Sequence, residues 1–188
     1  VTALPGPDGA LRCAWALASG DYMEYHDHEW GRPVRGEAAL FERLSLEGFQ
    51  SGLSWITILR KREAFREAFA GFDPATVAGF GETNVERLMD NPGIVRNAAK
   101  IRATIANARA LLALGEDESL EALLEKHRPP VHAAPRAAAD IPPSTAESAS
   151  LSRELRARGF RFVGPVTAYA MMQATGYVND HLADCAFR

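Results

Sequence analysis

Gly159-Phe160-Arg161-Phe162-Val163-Gly164-Pro165 joins two amphipathic stretches through a turn with a glycine at each end. Gly159 ends one predicted helix and Gly164-Pro165 opens the next, since proline is pre-set for a first helical position. Such a turn leaves backbone N–H groups free at a helix N-terminus, and the uncapped donors and the helix dipole both favour a phosphate there. Arg153, Arg156, Arg158 and Arg161 surround it with only Glu154 opposing them, which makes a basic island. An ordinary helix hairpin with a solvated charged face has the same pattern.

Outward from this turn the chain reads as helices from end to end. Apolar periodicity predicts them over 37–50 (Leu40, Phe41, Leu44), 55–70 (Trp55, Ile58, Leu59, Phe65, Phe69), 85–90, 98–114 (Ile101, Ile105, Ala108, Leu112), 120–127, 151–158 and 166–176. Gly52 breaks the first from the second, and Asp73-Pro74 forms a cap followed by proline at the first helical position. A second tight turn lies at 91–97, N-P-G-I-V-R-N. Residues 127–150, rich in Pro, Ala and Ser, are expected to form a long surface connection with at most a short helical turn. Nothing reads as a strand and no internal repeat is present, so the fold class expected is all-α.

At 188 residues, 47% hydrophobic and 24% charged, the chain can bury one good core, and a single domain over 1–188 with room for two lobes is expected. No run of about 18 apolar residues occurs, so no membrane-spanning helix is expected. The opening V-T-A-L-P-G-P-D-G-A lacks the apolar core of a signal peptide, so a reducing cytoplasmic setting is expected. A net charge of −3 gives no global basic footprint. Any nucleic-acid role must use a local patch.

Both cysteines lie near the chain ends, each with a histidine at a usable spacing: Cys13 with His26, and His181 with Cys185. Four soft-to-borderline ligands, two from each end, describe a closed tetrahedral zinc site that clasps the termini. The four-residue spacing of His181 and Cys185 would bring both to one face of a helical turn. The same cysteines could instead form a terminal disulfide, or be a buried thiol with a chance neighbour; a reducing compartment favours metal over disulfide. A zinc with four protein ligands keeps no open position, so it would be structural and the chemistry must lie elsewhere.

A carboxylate stands where the pattern expects a hydrophobe. Leu40, Leu44 and Glu47 share one helical stripe, which points Glu47 inward, and buried carboxylates are expensive unless hydrogen-bonded or used. Trp15, Tyr22, Tyr25, Trp30 and Trp55 surround it in sequence. Aromatics at such spacings commonly build plain core, but with an inward glutamate they could cage a flat, electron-poor or cationic ligand.

E-Y-H-D-H-E-W-G (24–31), L-E-G-F-Q-S-G-L-S-W (46–55), G-F-R-F-V-G-P (159–165) and N-D-H-L-A-D-C (179–185) together resemble the 3-methyladenine DNA glycosylase I family, a zinc-clasped branch of the helix-hairpin-helix glycosylases. The resemblance covers nearly the whole chain from Cys13 to Cys185. It implies an all-α helix-hairpin-helix fold of two helical lobes, with the base pocket between them and the termini clasped by structural zinc. The implied activity is removal of 3-methyladenine from double-stranded alkylated DNA, by a monomer. By the same resemblance Cys13, His26, His181 and Cys185 are zinc ligands and Glu47 is the catalytic carboxylate that reads the base. Tyr25 and Trp55 become its stacking walls, with Trp15, Trp30 and Tyr22 behind them. Gln50, Gly52 and Leu53 would enter the gap left by the flipped nucleotide, and Gly159, Phe160, Arg161 and Gly164 would hold the DNA backbone.

The chain departs from the wider superfamily at two points. The nearest match to its catalytic aspartate is Asp180, directly before His181, which could instead serve the metal's second shell. The lysine that lyase-type relatives carry beside the hairpin is absent, since Pro165-Val166-Thr167 follows the turn, so a monofunctional enzyme is expected. The chain stops three residues after Cys185, so a short tail could be missing, and Arg62, Arg96 and Lys100 are further candidates for phosphate contact. Two rivals remain: a non-enzymatic zinc-stabilised helical module binding DNA or protein, which would need no inward Glu47, and a small-molecule zinc hydrolase, disfavoured by a closed ligand set.

Overall fold

Every residue from 40 to 49 is buried, so the helix that carries them runs through the middle of the molecule and shows no solvent-facing side along that stretch. The computed structural model describes residues 2–115 and 118–188. It begins with a small antiparallel hairpin, β1 (Leu4–Pro5) and β2 (Leu11–Arg12), in which Leu4 pairs with Arg12. Helices follow: α1 (Gly20–His28), the central α2 (Glu37–Gln50), α3 (Trp55–Ala68), α4 (Pro74–Ala78), α5 (Glu82–Met89), α6 (Ala98–Leu112), α7 (Leu120–Lys126), α8 (Ala146–Ala157) and α9 (Pro165–Ala174). Single 3-10 turns lie at Ala14–Ala18, Ala70–Phe72 and Ala138–Asp140. Among the described residues no helix is long and apolar enough to cross a membrane.

α3, α6, α7 and α9 all pack on α2, and α8 lies against α9 to form the helical hairpin. Leu40, Phe41, Leu44 and Phe49 of α2 are shut off from solvent, and Phe49 meets Phe65 of α3 at a ring separation of 4.6 Å. Each side chain of this size stabilises the fold by roughly 1.5–3 kcal/mol on burial. A second, smaller core gathers Ala3, Cys13, Leu182 and Cys185 beneath Trp15, Trp30 and Phe187, so both chain ends meet in it. Backbone bonds from Ala186 N–H to the Leu11 carbonyl at 2.8 Å, and from Ala183 N–H to the Pro135 carbonyl at 2.8 Å, seat the C-terminal segment.

Caps explain several boundaries. Asp73 accepts from Thr76 N–H at 2.7 Å ahead of Pro74, as the Asp-Pro pair predicts. Asn97 accepts from Lys100 N–H at 3.1 Å and opens α6. Thr145 and Ser148 cap one another, so α8 begins at Ala146, inside the stretch expected to be a surface connection. Two other expectations are corrected, and one helix goes beyond those expected. A strand pair does exist. α1 is a helix that periodicity does not announce, because its sequence G-D-Y-M-E-Y-H-D-H has aromatic and ligand residues in place of an apolar stripe. His181 and Cys185 lie on successive tight turns after α9, with Cys185 N–H donating to the Leu182 carbonyl, and no helical turn carries them.

Candidate active site and metal centre

α1 brings His26 against the two C-terminal ligands, while Cys13 arrives from the end of β2. One ligand atom from each of Cys13, His26, His181 and Cys185 lies within 4.8 Å of the others, and all four residues are buried. His181 Nδ1 stands 3.1 Å from His26 Nε2 and 3.4 Å from Cys185 Sγ, and Cys185 Sγ is 3.5 Å from His26 Nε2. Around a tetrahedral ion with N and S ligands, neighbouring donor atoms stand roughly 3.3–3.8 Å apart. Both imidazoles are oriented from outside. His26 Nδ1 faces Asp27 Oδ1 at 2.7 Å and His181 Nε2 faces the Trp30 carbonyl at 3.0 Å, so those nitrogens carry the protons and the opposite lone pairs point at one another. Burial lowers the pKa of His26 and takes that of His181 to about 4, which keeps both rings neutral. The cluster can hold a metal ion. Gly31, at φ 75°, lets the His181 ring lie on the backbone, where an added Cβ would meet its Cδ2 at 3.1 Å.

Asp27 is itself fixed by Arg12, whose Nε and Nη2 donate to it at 2.8 to 3.0 Å. Asp180 plays no such part for His181. Its carboxylate accepts from Tyr169 Oη at 2.6 Å, Gln173 Nε2 at 2.8 Å and His132 Nε2 at 3.0 Å, beside a cavity of about 530 Å³ under residues 129–145.

The aromatic side chains form one continuous group that grows out of the metal cluster. Trp15 touches Trp30 edge-on at 5.1 Å, Tyr22 at 5.5 Å and the His26 ring at 5.2 Å. Trp15 also tilts toward Tyr25 at 6.5 Å, and Tyr25 meets Trp55 at 5.4 Å. The Tyr22 hydroxyl, in addition, accepts from Ile56 N–H at 3.0 Å, which caps the first turn of α3 and fixes Trp55.

Glu47 on α2 stands near enough to this group for its charge to act on the Tyr25 phenol. It is 6% exposed, and among the described residues no hydrogen bond reaches its carboxylate, whereas the other acid–base groups of α2 are paired. Arg66 clamps Glu42 at 2.8 to 3.1 Å, and Glu29 takes Arg43 at 2.7 Å and Arg62 at 2.6 and 2.8 Å. Burial would raise Glu29, but hydrogen bonds from Arg62 and Arg43 hold it down at about 2. Glu47 has no such donors. Burial pushes it up to about 8 against the weaker opposing pull of Arg43. Burial and the Glu47 charge together raise the Tyr25 phenol, so both groups are neutral at rest. The Trp55 Nε1 and Arg43 Nη1 donors are also buried without a partner.

The turn 51–54 after α2 presents Gly52 and Leu53, with Leu53 41% exposed, and Gln50 behind them is half-buried. Gly159 closes α8 at φ 93°, Arg161 is exposed, and no side chain caps the N-terminus of α9. Gly164 has an ordinary φ of −66° and open space where a Cβ would stand, so the fold itself does not require glycine there. Phe160 is 2% exposed and packs in the core, leaving only its backbone for an outside contact. Arg62 is held by Glu29, and Lys100 is buried with its ammonium on backbone carbonyls, so neither is a free phosphate contact; Arg96 is exposed.

Residues 15–188 match the family model described as methyladenine glycosylase. The chain belongs to that family. A relative in Escherichia coli strain K12, DNA-3-methyladenine glycosylase 1, is 45% identical over 180 residues, covering 93% of this chain and 95% of its own. A solved 3-methyladenine DNA glycosylase I superposes with a TM-score of 0.89 at 44% identity, covering 93% of this chain and 98% of that one. A member of the family from Staphylococcus aureus, solved to explain its recognition of 3-methyladenine, gives a TM-score of 0.88 at 36% identity over 93% of this chain and 95% of its own.

The unpaired carboxylate makes stability depend on pH. Glu47 keeps its proton in the folded protein to about pH 8 and loses it near 4.5 when unfolded, so the folded state binds the extra proton between those values. Its contribution is complete below pH 4.5, declines as pH rises through the window and is gone above pH 8; the span corresponds to about 5 kcal/mol. Glu47→Gln should therefore melt higher than the parent at pH 8 and level with it near pH 4.5, which melting curves across that range would check.

Proposed function

We propose that this protein is a monofunctional DNA glycosylase that extrudes 3-methyladenine from double-stranded alkylated DNA and hydrolyses its N-glycosidic bond. The observation that carries the reading is Glu47: a buried, unpaired carboxyl on the buried stretch 40–49 of α2, near enough to Tyr25 for its charge to act on the phenol, with Trp55 beside that ring, in a chain of the methyladenine glycosylase family. The protein is proposed to act as a cytoplasmic monomer, one domain over 1–188 with two lobes.

The chemistry follows from the charge of the lesion. Alkylation at N3 makes adenine cationic and hence a good leaving group, so the enzyme must hold and orient the base more than it must protonate it. Aromatic faces of Tyr25 and Trp55 attract a flat cation, and the cation in turn favours ionised Glu47. The carboxylate can accept from the exocyclic amine, and Trp55 Nε1–H is available to an acceptor on the base. Water then captures the sugar cation, as in other glycoside hydrolyses. Taking a base out of the stack costs a few kcal/mol, and Leu53 on its exposed turn offsets part of that by filling the gap. Uncapped amides at the start of α9 and the exposed Arg161 hold the backbone phosphate. No lysine flanks this turn to form a Schiff base with the sugar.

Zinc is the metal proposed for Cys13, His26, His181 and Cys185. Two thiolates and two imidazoles in a closed, buried set suit it, and with no open position its contribution is to fold the termini together. Purified protein should contain about one zinc per chain, and Cys13→Ser should lose the metal and melt roughly 10 °C lower. Metal analysis with melting curves tests both, and a metal-free parent of equal stability in reducing agent would refute the assignment.

The decisive experiment incubates the protein with methylated duplex DNA and separates the released bases, where free 3-methyladenine is expected. Glu47→Gln should fold and bind DNA but release base at least about 100-fold more slowly. Release near the parental rate would remove Glu47 from the site.

Gly164→Val gives a clean probe of the phosphate turn, since a Cβ at this position meets open space. Its melting temperature should stay within a few degrees of the parent, while its affinity for duplexes of any sequence falls about tenfold or more. Unchanged affinity would leave the turn a purely structural hairpin.

A further inference from the structure

Lys100, Thr104 and Asn107 occupy one face of α6 at the spacing where an amphipathic helix would carry hydrophobes. All three are buried, at 8%, 3% and 4% exposure. The two ends of this polar stripe are bonded to two different turns. The Lys100 ammonium donates to the Phe49 carbonyl at 2.8 Å and the Ser51 carbonyl at 2.6 Å, closing the C-terminal end of α2 where the chain departs for Gly52 and Leu53. Asn107 Nδ2 donates to the Arg161 carbonyl at 3.0 Å, and Arg161 N–H donates back to Asn107 Oδ1 at 2.7 Å, so one side-chain amide grips the middle of the hairpin turn. α2 also runs close beside the hairpin turn: a Cβ added to Gly48, next to Glu47, would lie 3.7 Å from both Phe162 Cβ and the Phe162 carbonyl.

A buried ammonium is expensive, and burial pulls Lys100 below the ordinary lysine pKa. An apolar side chain would fill the same space at lower cost, so the group needs a reason that packing does not supply. We propose that Lys100 and Asn107 are positioning residues that hold the wedge turn 51–54 and the phosphate turn 159–164 at a fixed separation along α6. The inference rests on the glycosylase reading above. Seven residues of helix make a stiff spacer of roughly 10 Å. With both turns fixed to it, the wedge enters the stack while the neighbouring phosphate is held, and extrusion needs those two acts together. Neither residue touches DNA; each acts through the backbone it binds.

The test compares release of 3-methyladenine from duplex and from single-stranded DNA, because in a single strand no paired stack has to be opened. Lys100→Met and Asn107→Leu should each release base from duplex about tenfold or more slowly, yet stay within about twofold of the parent on the single strand. Lys100→Arg, which keeps a cationic donor, should recover most of the duplex rate. Amide exchange read in parallel should accelerate at Leu53 in Lys100→Met and at Arg161 in Asn107→Leu, each leaving the other turn unchanged. If Asn107→Leu does not fold, Asn107→Asp keeps the acceptor for Arg161 N–H, puts a charged oxygen against the Arg161 carbonyl in place of the donor, and should show the same split between duplex and single strand. Equal losses on both substrates, or unchanged duplex release with unchanged exchange, would overturn the proposal. A parent inert on both substrates would count against the glycosylase reading instead, and the exchange data alone would then support or overturn the brace.

Discussion

Four buried side chains tie the ends of this chain together, and the rest of the site is arranged around that knot. His26 and Cys185 are 159 residues apart in sequence yet within 3.5 Å in space. Closing so long a loop costs entropy that grows only slowly with length, so joining the extreme ends is a cheap way to restrain everything between them. The restraint reaches the aromatic group directly. Trp15 leans on His26, the Trp30 carbonyl holds the second imidazole, and Asp27 passes the load to Arg12 of β2, which stacks over Phe187. A disturbance at the clasp therefore reaches Trp15, and through it Tyr22 and Tyr25, without crossing the main core.

The main core imposes a second constraint. α2 is enclosed on every side between residues 40 and 49, and a helix in that position has little water to satisfy its polar groups. Glu42 and Arg43 are answered by side chains from α3 and the end of α1, and those pairings use up the local cations. Glu47 is what remains. Its isolation is thus produced by how its neighbours are paired as much as by its own position.

Helical content, the existence of a Cys/His cluster and an inward Glu47 are all legible in the sequence, though not always for the right reason. The stripe of Leu40, Leu44 and Glu47 points inward, but so does every other side of that helix, and burial on all sides follows from four packed helices that periodicity cannot see. His181 and Cys185 meet as their spacing suggests, through consecutive turns in place of a helix, because the metal-binding geometry needs only proximity. α1 is hidden from periodicity because its buried face is made of Tyr25, His26 and Asp27, residues that look polar one at a time. Lys100 and Asn107 are hidden for a related reason: the apolar stripe of α6 runs through Ile101, Ile105 and Ala108, while the neighbouring face carries polar residues at the same spacing. Their partners are backbone atoms 49 to 54 positions away, and no local pattern announces those.

An acid that is uncharged at rest and reads the base as proposed behaves in a particular way toward undamaged DNA. Most bases that the enzyme meets are neutral, and none of them repays the cost of placing a bare negative charge in a dry interior. The protonated Glu47 also adds nothing to the repulsion between a chain of net charge −3 and a polyanion. On that reading only a base that brings its own positive charge makes the ionised form worthwhile, and deprotonation would be a threshold crossed at the lesion and at few other places. On the proposed role of Glu47, selectivity against the vast excess of ordinary adenine would reside partly in a proton equilibrium, in addition to shape.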